Sequence, residues 1–442
     1  MSDIFKKSMC ELGRHIGAGA LDPLDITAQY LDAAEAHACG PRIYARLTRE
    51  RALSEAAAAS KRAKTGTRRG LLDGVPVSWK DLFDTAGTAT EAGSGLLEGR
   101  VPTEDAEVVR RATESGLVCL GKTHMSELAF SGLGLNPVTE TTPCVNDAAA
   151  VSGGSSSGAA GSVAFELAPG AIGTDTGGSV RIPAAWNDLV GLKTTSNRLP
   201  LSGVVPLAES FDTVGPLVKT VEDAAEVFAI LDGTPAPNLR DASLKGKRLL
   251  MLETVAFDDI REAPLAGFER AVLRLQDAGA IIERGSVDMI ERAMALSGIL
   301  FPAEAYGTWR DVIEANPTVM FPPILDRFRA GGTVMAADYV DAWRKLQMYR
   351  AEYLAATAGY DAVILPTAPI LPPNMDRLLS DNDYYVTENL LALRNTRIGN
   401  LMGLTGLTLP TGVPSTGILL QTPPNTEHQL LCLGAAVERA LA

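Results

Sequence analysis

The chain has 442 residues, with 40 Lys+Arg against 53 Asp+Glu and a formal charge of −13. At this length a folded chain hides roughly 75% of the surface its unfolded form exposes, and 46% apolar residues are enough to fill such a core, which excludes disorder or a coiled coil for the bulk. A pI near 4.9 argues against nucleic acid as a partner, because phosphates demand a basic face.

The segment MSDIFKKSMCELGRHIGAG has no apolar stretch of signal-peptide length, and no apolar run of about 18 residues occurs further on. The five cysteines, Cys10, Cys39, Cys119, Cys144 and Cys432, are odd in number and never form a CxxC pair. That usage suits a reducing compartment and excludes a disulfide framework or a Cys-type zinc site. A soluble cytoplasmic protein with no membrane partner is expected.

Ile26, Tyr30, Leu31 and Ala34 share one face of a helix predicted over Asp25–His37. A strand follows at Ile43–Leu47, an Ala-rich helix at Glu50–Lys64, and another extended piece from Gly74-Val75-Pro76-Val77. Asp105–Ser115 reads as a helix capped by Gly116, with a short buried strand at Leu117–Leu120. Helices alternating with strands predict an α/β layer architecture. From about Val287 to Ala358 the chain is mainly helical and richer in Met and aromatics (Phe301, Tyr306, Trp309, Phe321, Phe328, Trp343, Tyr349). This middle reads as an insertion over the α/β core, most of its aromatics serving as packing. Tyr360–Pro366 returns to a strand, and a helix starts near Glu427.

Gly116-Leu117-Val118-Cys119-Leu120-Gly121-Lys122-Thr123 fits the phosphate-loop pattern GxxxxGK[ST]. That loop needs a strand before the first Gly and a helix after the Lys. Here the order is reversed, so the match is a decoy. Ser152-Gly153-Gly154-Ser155-Ser156-Ser157-Gly158 could be a linker, but helical sequence follows it at Gly161–Leu167. A turn opening a helix delivers a hydroxyl and free N–H groups to one point. Gly173-Thr174-Asp175-Thr176-Gly177-Gly178-Ser179-Val180-Arg181 places a serine after a Gly-Gly turn, where consecutive N–H donors could form an oxyanion hole. Taken alone, it reads better as a tight turn after a strand over Ala171–Thr174.

A serine nucleophile needs a base. Of the four histidines, His15, His37 and His428 sit on predicted helices as solvated or packed residues. His124 remains for a Ser-His-Asp arrangement, yet no GxSxG elbow is present to pair with it. A lysine kept neutral by burial is the other option. Lys80 ends the apolar stretch Gly74-Val75-Pro76-Val77-Ser78-Trp79. Asp81 follows it directly but lies on the opposite face of an extended strand.

Together, GVPVSWKDLFDTAG, GKTHMSELAFSGLGLNP, SGGSSSGAAGSVA and GTDTGGSVRIPAAWNDLVGLKTT resemble the amidase signature family of serine hydrolases. The resemblance extends through YDAVILPTAP and GLTLPTG and implies one α/β/α domain over residues 1–442, built on a twisted mixed sheet of about ten or more strands. The signature core would occupy about 70–217, and a variable, mainly helical substrate-side segment about 287–358. It further implies a Ser–cis-Ser–Lys triad. Ser179 is the nucleophile, Ser155, after a cis peptide, the proton bridge, and Lys80 the base. The N–H groups of Thr176, Gly177, Gly178 and Ser179 form the oxyanion hole, Asp175 and Arg181 brace the loop, and Ala129, Phe130, Ser131 and Gly132 line the acyl pocket.

This sequence departs from the family at Ser152, at Trp79 beside the base, and at Asn187-Asp188, where Cys-Gly is common. Phe301–Gly307 does not reproduce the Tyr-Asp-Gly-type motif of the tRNA-dependent amidotransferase subunits, which with the acidity disfavours that branch. The membrane-anchored fatty-amide branch is disfavoured for want of an anchoring helix. The implied activity is hydrolysis of a small-molecule amide, without metal or organic cofactor because side chains and backbone donors serve every step. Carbamate or ester cleavage is the close alternative, a non-catalytic or amidotransferase subunit the more distant one, and a homodimer is allowed.

Overall fold

The computed structural model describes residues 4–442. Its strands are β1 Tyr44–Leu47, β2 Pro76–Lys80, β3 Val118–Thr123, β4 Pro143–Cys144, β5 Asp147–Val151, β6 Gly170–Thr174 and β7 Val190–Lys193. They continue with β8 Val214–Val218, β9 Arg248–Leu252, β10 Ile281–Gly285, β11 Ala362–Pro366, β12 Thr405–Pro410 and β13 Gly417–Thr422. Eleven form one sheet in the order β1-β3-β2-β6-β8-β7-β12-β13-β11-β9-β10, and β4 pairs with β5 apart from it. The chain is thus a large α/β domain with a mixed sheet, in line with the expected ten or more strands.

Two parallel blocks, β3-β2-β6 and β11-β9-β10, flank an antiparallel centre. Every residue of β2, β3, β6, β7 and β8 is buried. Strands hidden on both faces need helices on both faces, which is why they read as continuous apolar runs. The helix Ser157–Ala164 packs on β2 and β6 and Arg181–Trp186 on β7 and β12. The first is nearly all Gly, Ala and Ser because it approaches closely: a Cβ on Gly158 would sit 2.4 Å from Ile43 O.

The predicted helix over Asp25–His37 spans Pro23–Ala36, with the Asp22 carboxylate accepting Leu24 N–H. The Ala-rich helix runs Arg49–Thr65 and stops at left-handed Gly66. The helix expected from Asp105 starts at Glu107, because the Asp105 carboxylate is drawn off to Arg51 at 2.7 Å and Ala86 N–H at 2.8 Å. The helix expected over Gly161–Leu167 begins earlier, at Ser157, straight out of the Gly/Ser run.

The middle segment is helical at Met289–Ala295, Ser297–Ala315, Pro322–Ala330 and Ala336–Thr357. Two of its aromatics pack on Phe211, which lies 4.3 Å from the Phe301 ring and stacks on Trp343 at 5.1 Å, and Phe328 meets Phe130 edge-on. Among the described residues no helix is long and apolar enough to cross a membrane, and all five cysteines are free.

Candidate active site

Lys80 is the last residue of β2 and is fully buried. Parallel pairing sets Ser78 opposite Ala171 and Trp79 opposite Ile172, so Lys80 comes alongside the end of β6. There its Nζ donates to Ser155 Oγ at 2.7 Å and to Thr174 Oγ1 at 2.8 Å. Both partners are hydroxyls, which can give as well as receive a proton. Burial pulls the Lys80 ammonium from its ordinary 10.5 down to about 7, against the opposing charges of Asp212 and Asp175. Asp81 turns away, to Arg46 at 2.6 Å and Lys122 at 3.3 Å. Trp79 packs edge-to-face on Phe83 at 5.2 Å and does not border the cavity described below.

The peptide Gly154–Ser155 is cis. The two serine-bearing turns meet at Ser156, whose N–H donates to Ser179 O at 3.3 Å and whose Oγ donates to Thr174 O at 3.2 Å. No hydrogen bond joins the Ser155 and Ser179 hydroxyls.

The turn carrying Ser179 is organised by Asp175. Its carboxylate accepts Gly178 N–H at 2.9 Å, Val180 N–H at 3.2 Å, two contacts from the Arg181 guanidinium at 2.9 Å and Asn400 Nδ2 at 2.9 Å. Burial would push the Asp175 carboxyl up, but Arg181 foremost, then Lys193 and Asn400, hold it below the ordinary carboxylate range. Such a buried pair contributes little net stability and a great deal of geometry. Asp212 fixes the other side through Thr176 Oγ1 at 2.5 Å and the Leu207 N–H at 2.9 Å. One expectation changes here. Gly178 N–H is turned back onto Asp175 and is spent, whereas those of Thr176, Gly177 and Ser179 have no partner. Gly178 must still be glycine, since a Cβ at its φ of +142° would meet Thr396 Oγ1 at 2.1 Å.

Ser179, Thr176 and Gly177 line a cavity of about 410 Å³, an ordinary size for a small-molecule site. Ala129, Phe130 and Ser131 form another part of its wall. Gly132 does not line it: its N–H donates to Asn389 Oδ1 at 2.9 Å and its carbonyl accepts Gly154 N–H at 2.8 Å, which puts it behind the wall. Leu128 and Ala129 adopt positive φ, +43° and +60°, a region L side chains avoid. Their N–H groups donate to Ala92 O and Ser126 O at 2.9 Å, and buried Glu127 just before them accepts from Ser94 Oγ at 2.7 Å and Phe321 N–H at 2.8 Å. Burial lifts its carboxyl to about 7. Phe301, read from the sequence as core packing, and Arg327 and Arg397, not singled out there, form a further part of the wall from the helices Ser297–Ala315, Pro322–Ala330 and Asn382–Leu401.

His124 lies outside this cavity. Its Nε2 is 3.2 Å from Pro41 O, and burial drops the ring to about 4. The phosphate-loop match is dismissed by the fold as well: a helix precedes Gly116, β3 runs through the motif, and buried Lys122 donates to Phe83 O at 2.6 Å and Thr90 Oγ1 at 2.8 Å. Two departures in the sequence prove to be one feature. Asn187 Nδ2 donates to Ser152 O at 2.8 Å and Ser152 Oγ at 3.0 Å, tying the two serine turns together from behind. Among the described residues no group of three His, Cys, Asp or Glu could hold a metal ion.

A family model described as Amidase matches residues 25–431. The 2-amino-5-chloromuconic acid deaminase of Comamonas testosteroni is 35% identical, over 88% of this chain and 86% of its own. One subunit of the glutamyl-tRNA(Gln) amidotransferase of Acidothermus cellulolyticus is 31% identical, over 100% of this chain and 95% of its own. A solved structure of an amidase superposes with a TM-score of 0.88 at 29% identity, covering 99% of this chain and 100% of that one.

Proposed function

This chain belongs to the amidase family and is an amidohydrolase, and on that premise we propose that it cleaves the carbon–nitrogen bond of a small-molecule amide through a seryl acyl-enzyme. Ser179 is the nucleophile, Ser155 the proton bridge and Lys80 the base. Neutral Lys80 takes the Ser155 proton as Ser155 takes that of Ser179, and Ser179 Oγ adds to the carbonyl carbon. The oxyanion is received by the free N–H groups of Thr176, Gly177 and Ser179, each worth roughly 3 kcal/mol in comparable sites. Collapse breaks the C–N bond, Ser155 returns a proton to the leaving nitrogen, and water then cleaves the ester by the same relay run again. Thr174 is a positioning residue, holding Nζ from the other side.

The observation that carries this reading is the buried Lys80, bonded to two hydroxyls and to no carboxylate. A lysine paired with a carboxylate would stay protonated, whereas this one is poised to take a proton near neutral pH. The test is trapping. Wild type mixed with an activated amide and quenched in acid should carry an acyl adduct on the peptide containing Ser179, and Ser179→Ala should carry none. An adduct at full yield in Ser179→Ala overturns the assignment. The same acyl-enzyme chemistry serves carbamates and esters, so they belong in the substrate panel beside aryl and alkyl amides.

A further inference from the structure

The cavity holds two cations with nothing to neutralise them. Arg327 and Arg397 both line it, and neither guanidinium has a hydrogen-bond or ion-pair partner among the described residues. Three other arginines away from the surface are matched by carboxylates, Arg51 with Asp105, Arg62 with Asp73 and Arg181 with Asp175, and Arg350 and Arg394, which face no carboxylate, still donate to backbone carbonyls. Arg327 lies over the Phe130 ring, 4.6 Å from its centre, which steadies the guanidinium plane while leaving its N–H edge unused. Asp326 is the one carboxylate on the lining; it is exposed and bonds to neither arginine. Glu127, the buried carboxyl next to this wall, is spent on Ser94 and Phe321.

A third group points the same way. Tyr385 lines the cavity, is 1% exposed, and its hydroxyl is buried without a partner. Leaving a buried hydroxyl unpaired costs free energy, and a ligand in the cavity would satisfy this one. Burial pulls Arg397 down to about 10, and the charge of Arg327 acts in the same direction. An anion between them would relieve both effects. That an acidic protein of charge −13 places two unmatched cations in the cavity lined by Ser179 calls for a ligand of opposite sign.

We propose that the substrate is an amide bearing a carboxylate, bound by the Arg327 and Arg397 guanidinium groups with the Tyr385 hydroxyl beside them. This rests on the acyl-enzyme reading above and names the substrate class of that same site. A guanidinium fork matches a carboxylate bidentately. The apolar remainder of the wall, Leu207, Phe301, Val386, Leu390 and Leu393, suits a hydrocarbon spacer. Thr396, the neighbour of Arg397 on its helix, donates from its Oγ1 to Gly177 O in the Ser179 turn at 2.7 Å, which favours a short spacer between the anion and the carbonyl under attack. A monoamide of a small dicarboxylic acid has this form: water cleaves the C–N bond, its oxygen going to the acyl carbon and its protons to the nitrogen, giving the dicarboxylate and ammonium.

The experiment compares the monoamides of succinic and glutaric acid with butyramide and valeramide, their neutral counterparts of equal length. Wild type should favour the acids by about 100-fold in kcat/KM, and Arg397→Gln and Arg327→Gln should each lower that acid-to-neutral ratio at least tenfold, roughly what the loss of one charged contact to a substrate gives. A second readout needs no turnover. Succinate and glutarate should raise the Tm of Ser179→Ala, and should not do so once Arg397→Gln is added. Turnover of amides with no preference for the acids, and no shift with either dicarboxylate, overturns the anion site while leaving amide hydrolysis standing. A dicarboxylate shift that needs Arg397, with no amide of any kind cleaved, upholds the anion site and overturns the hydrolytic reading.

Discussion

At the end of β2 and at the end of β7 this chain buries a lysine completely, and the two ammonium groups meet nearly the same physics. Lys80 and Lys193 are both 0% exposed, and burial brings each to about 7. What differs is the acceptor. Lys80 faces the hydroxyls of Ser155 and Thr174; Lys193 faces two backbone carbonyls, Thr194 O at 2.9 Å and Leu404 O at 2.8 Å. A carbonyl only accepts, so Lys193 can tie β7 to the segment before β12 in either protonation state and has no proton to collect. A hydroxyl also donates, so neutral Lys80 can take one. Depressed basicity by itself therefore does not mark a catalytic lysine; the bonding partner does.

The largest effects should separate the two lysines outright. Ser179→Ala should lose measurable turnover, and Lys80→Met should lower kcat/KM by at least about 1000-fold, as expected when one member of an interdependent relay is removed. Lys80→Arg should fail equally, because a guanidinium keeps its proton throughout this pH range. Lys193→Met should stay within tenfold of wild type. Steady-state kinetics on purified, folded variants decide it, and equal losses at positions 80 and 193 would erase the distinction.

Next in size is the pH profile of acylation. If the neutral amine of Lys80 is the working form, the rate should climb about tenfold per unit below pH 7 and level off above it. Lys193 titrates in the same range, so a profile alone cannot tell the two apart. Lys193→Met should keep the wild-type inflection; a displaced inflection in that variant would assign the profile to the wrong lysine.

Thr174→Val should have a smaller effect, a loss of about tenfold in kcat/KM. It removes one of the two acceptors that favour the charged form of Lys80, so the inflection should also move to lower pH. A change in rate with no movement of the inflection would mean that Thr174 acts only by packing.

Why Thr174 escaped sequence reading explains the limits of such reading here. Local features were legible to within a residue or two: the strands Tyr44–Leu47 and Ala362–Pro366, the helix Pro23–Ala36, and the reversed order around Gly116 that disqualifies a phosphate loop. Lys80, Ser155 and Ser179 stand out in the sequence as candidates because each sits in a dense motif. Thr174 matters only through the parallel pairing of β2 with β6, which a linear pattern does not carry; its one signal was its place before Asp175 at a strand end. The spent N–H of Gly178 depends on which way the Asp175 carboxylate turns, and Gly132 was assigned to a pocket it stands behind. Arg327 and Arg397 lie on separate helices, 70 residues apart in sequence, in the stretch with the weakest motif content. Nothing in the sequence brings them together; the cavity does.

The smallest effect is on stability, and here the two lysines should behave alike. Each has a folded pKa near 7 and an unfolded value near 10.5. Between those values the unfolded chain binds more protons than the folded one, so stability rises with pH from 7 upward. Above the unfolded value both states are neutral and nothing is lost; as pH falls from there the stability declines, until the decline ends below about 7. For a single lysine the change between pH 7 and pH 8 amounts to about 1 kcal/mol. Urea denaturation of wild type and Lys193→Met at the two pH values should give a difference that widens by about that amount, because methionine carries no proton to release. Lys80→Met should give the same widening. A widening at both positions, beside a rate effect at only one, is the signature of two lysines equally buried and differently partnered. If the difference for Lys193→Met stays constant between pH 7 and 8, Lys193 does not titrate in that interval, and the parallel between the ends of β2 and β7 fails at burial rather than at the acceptor.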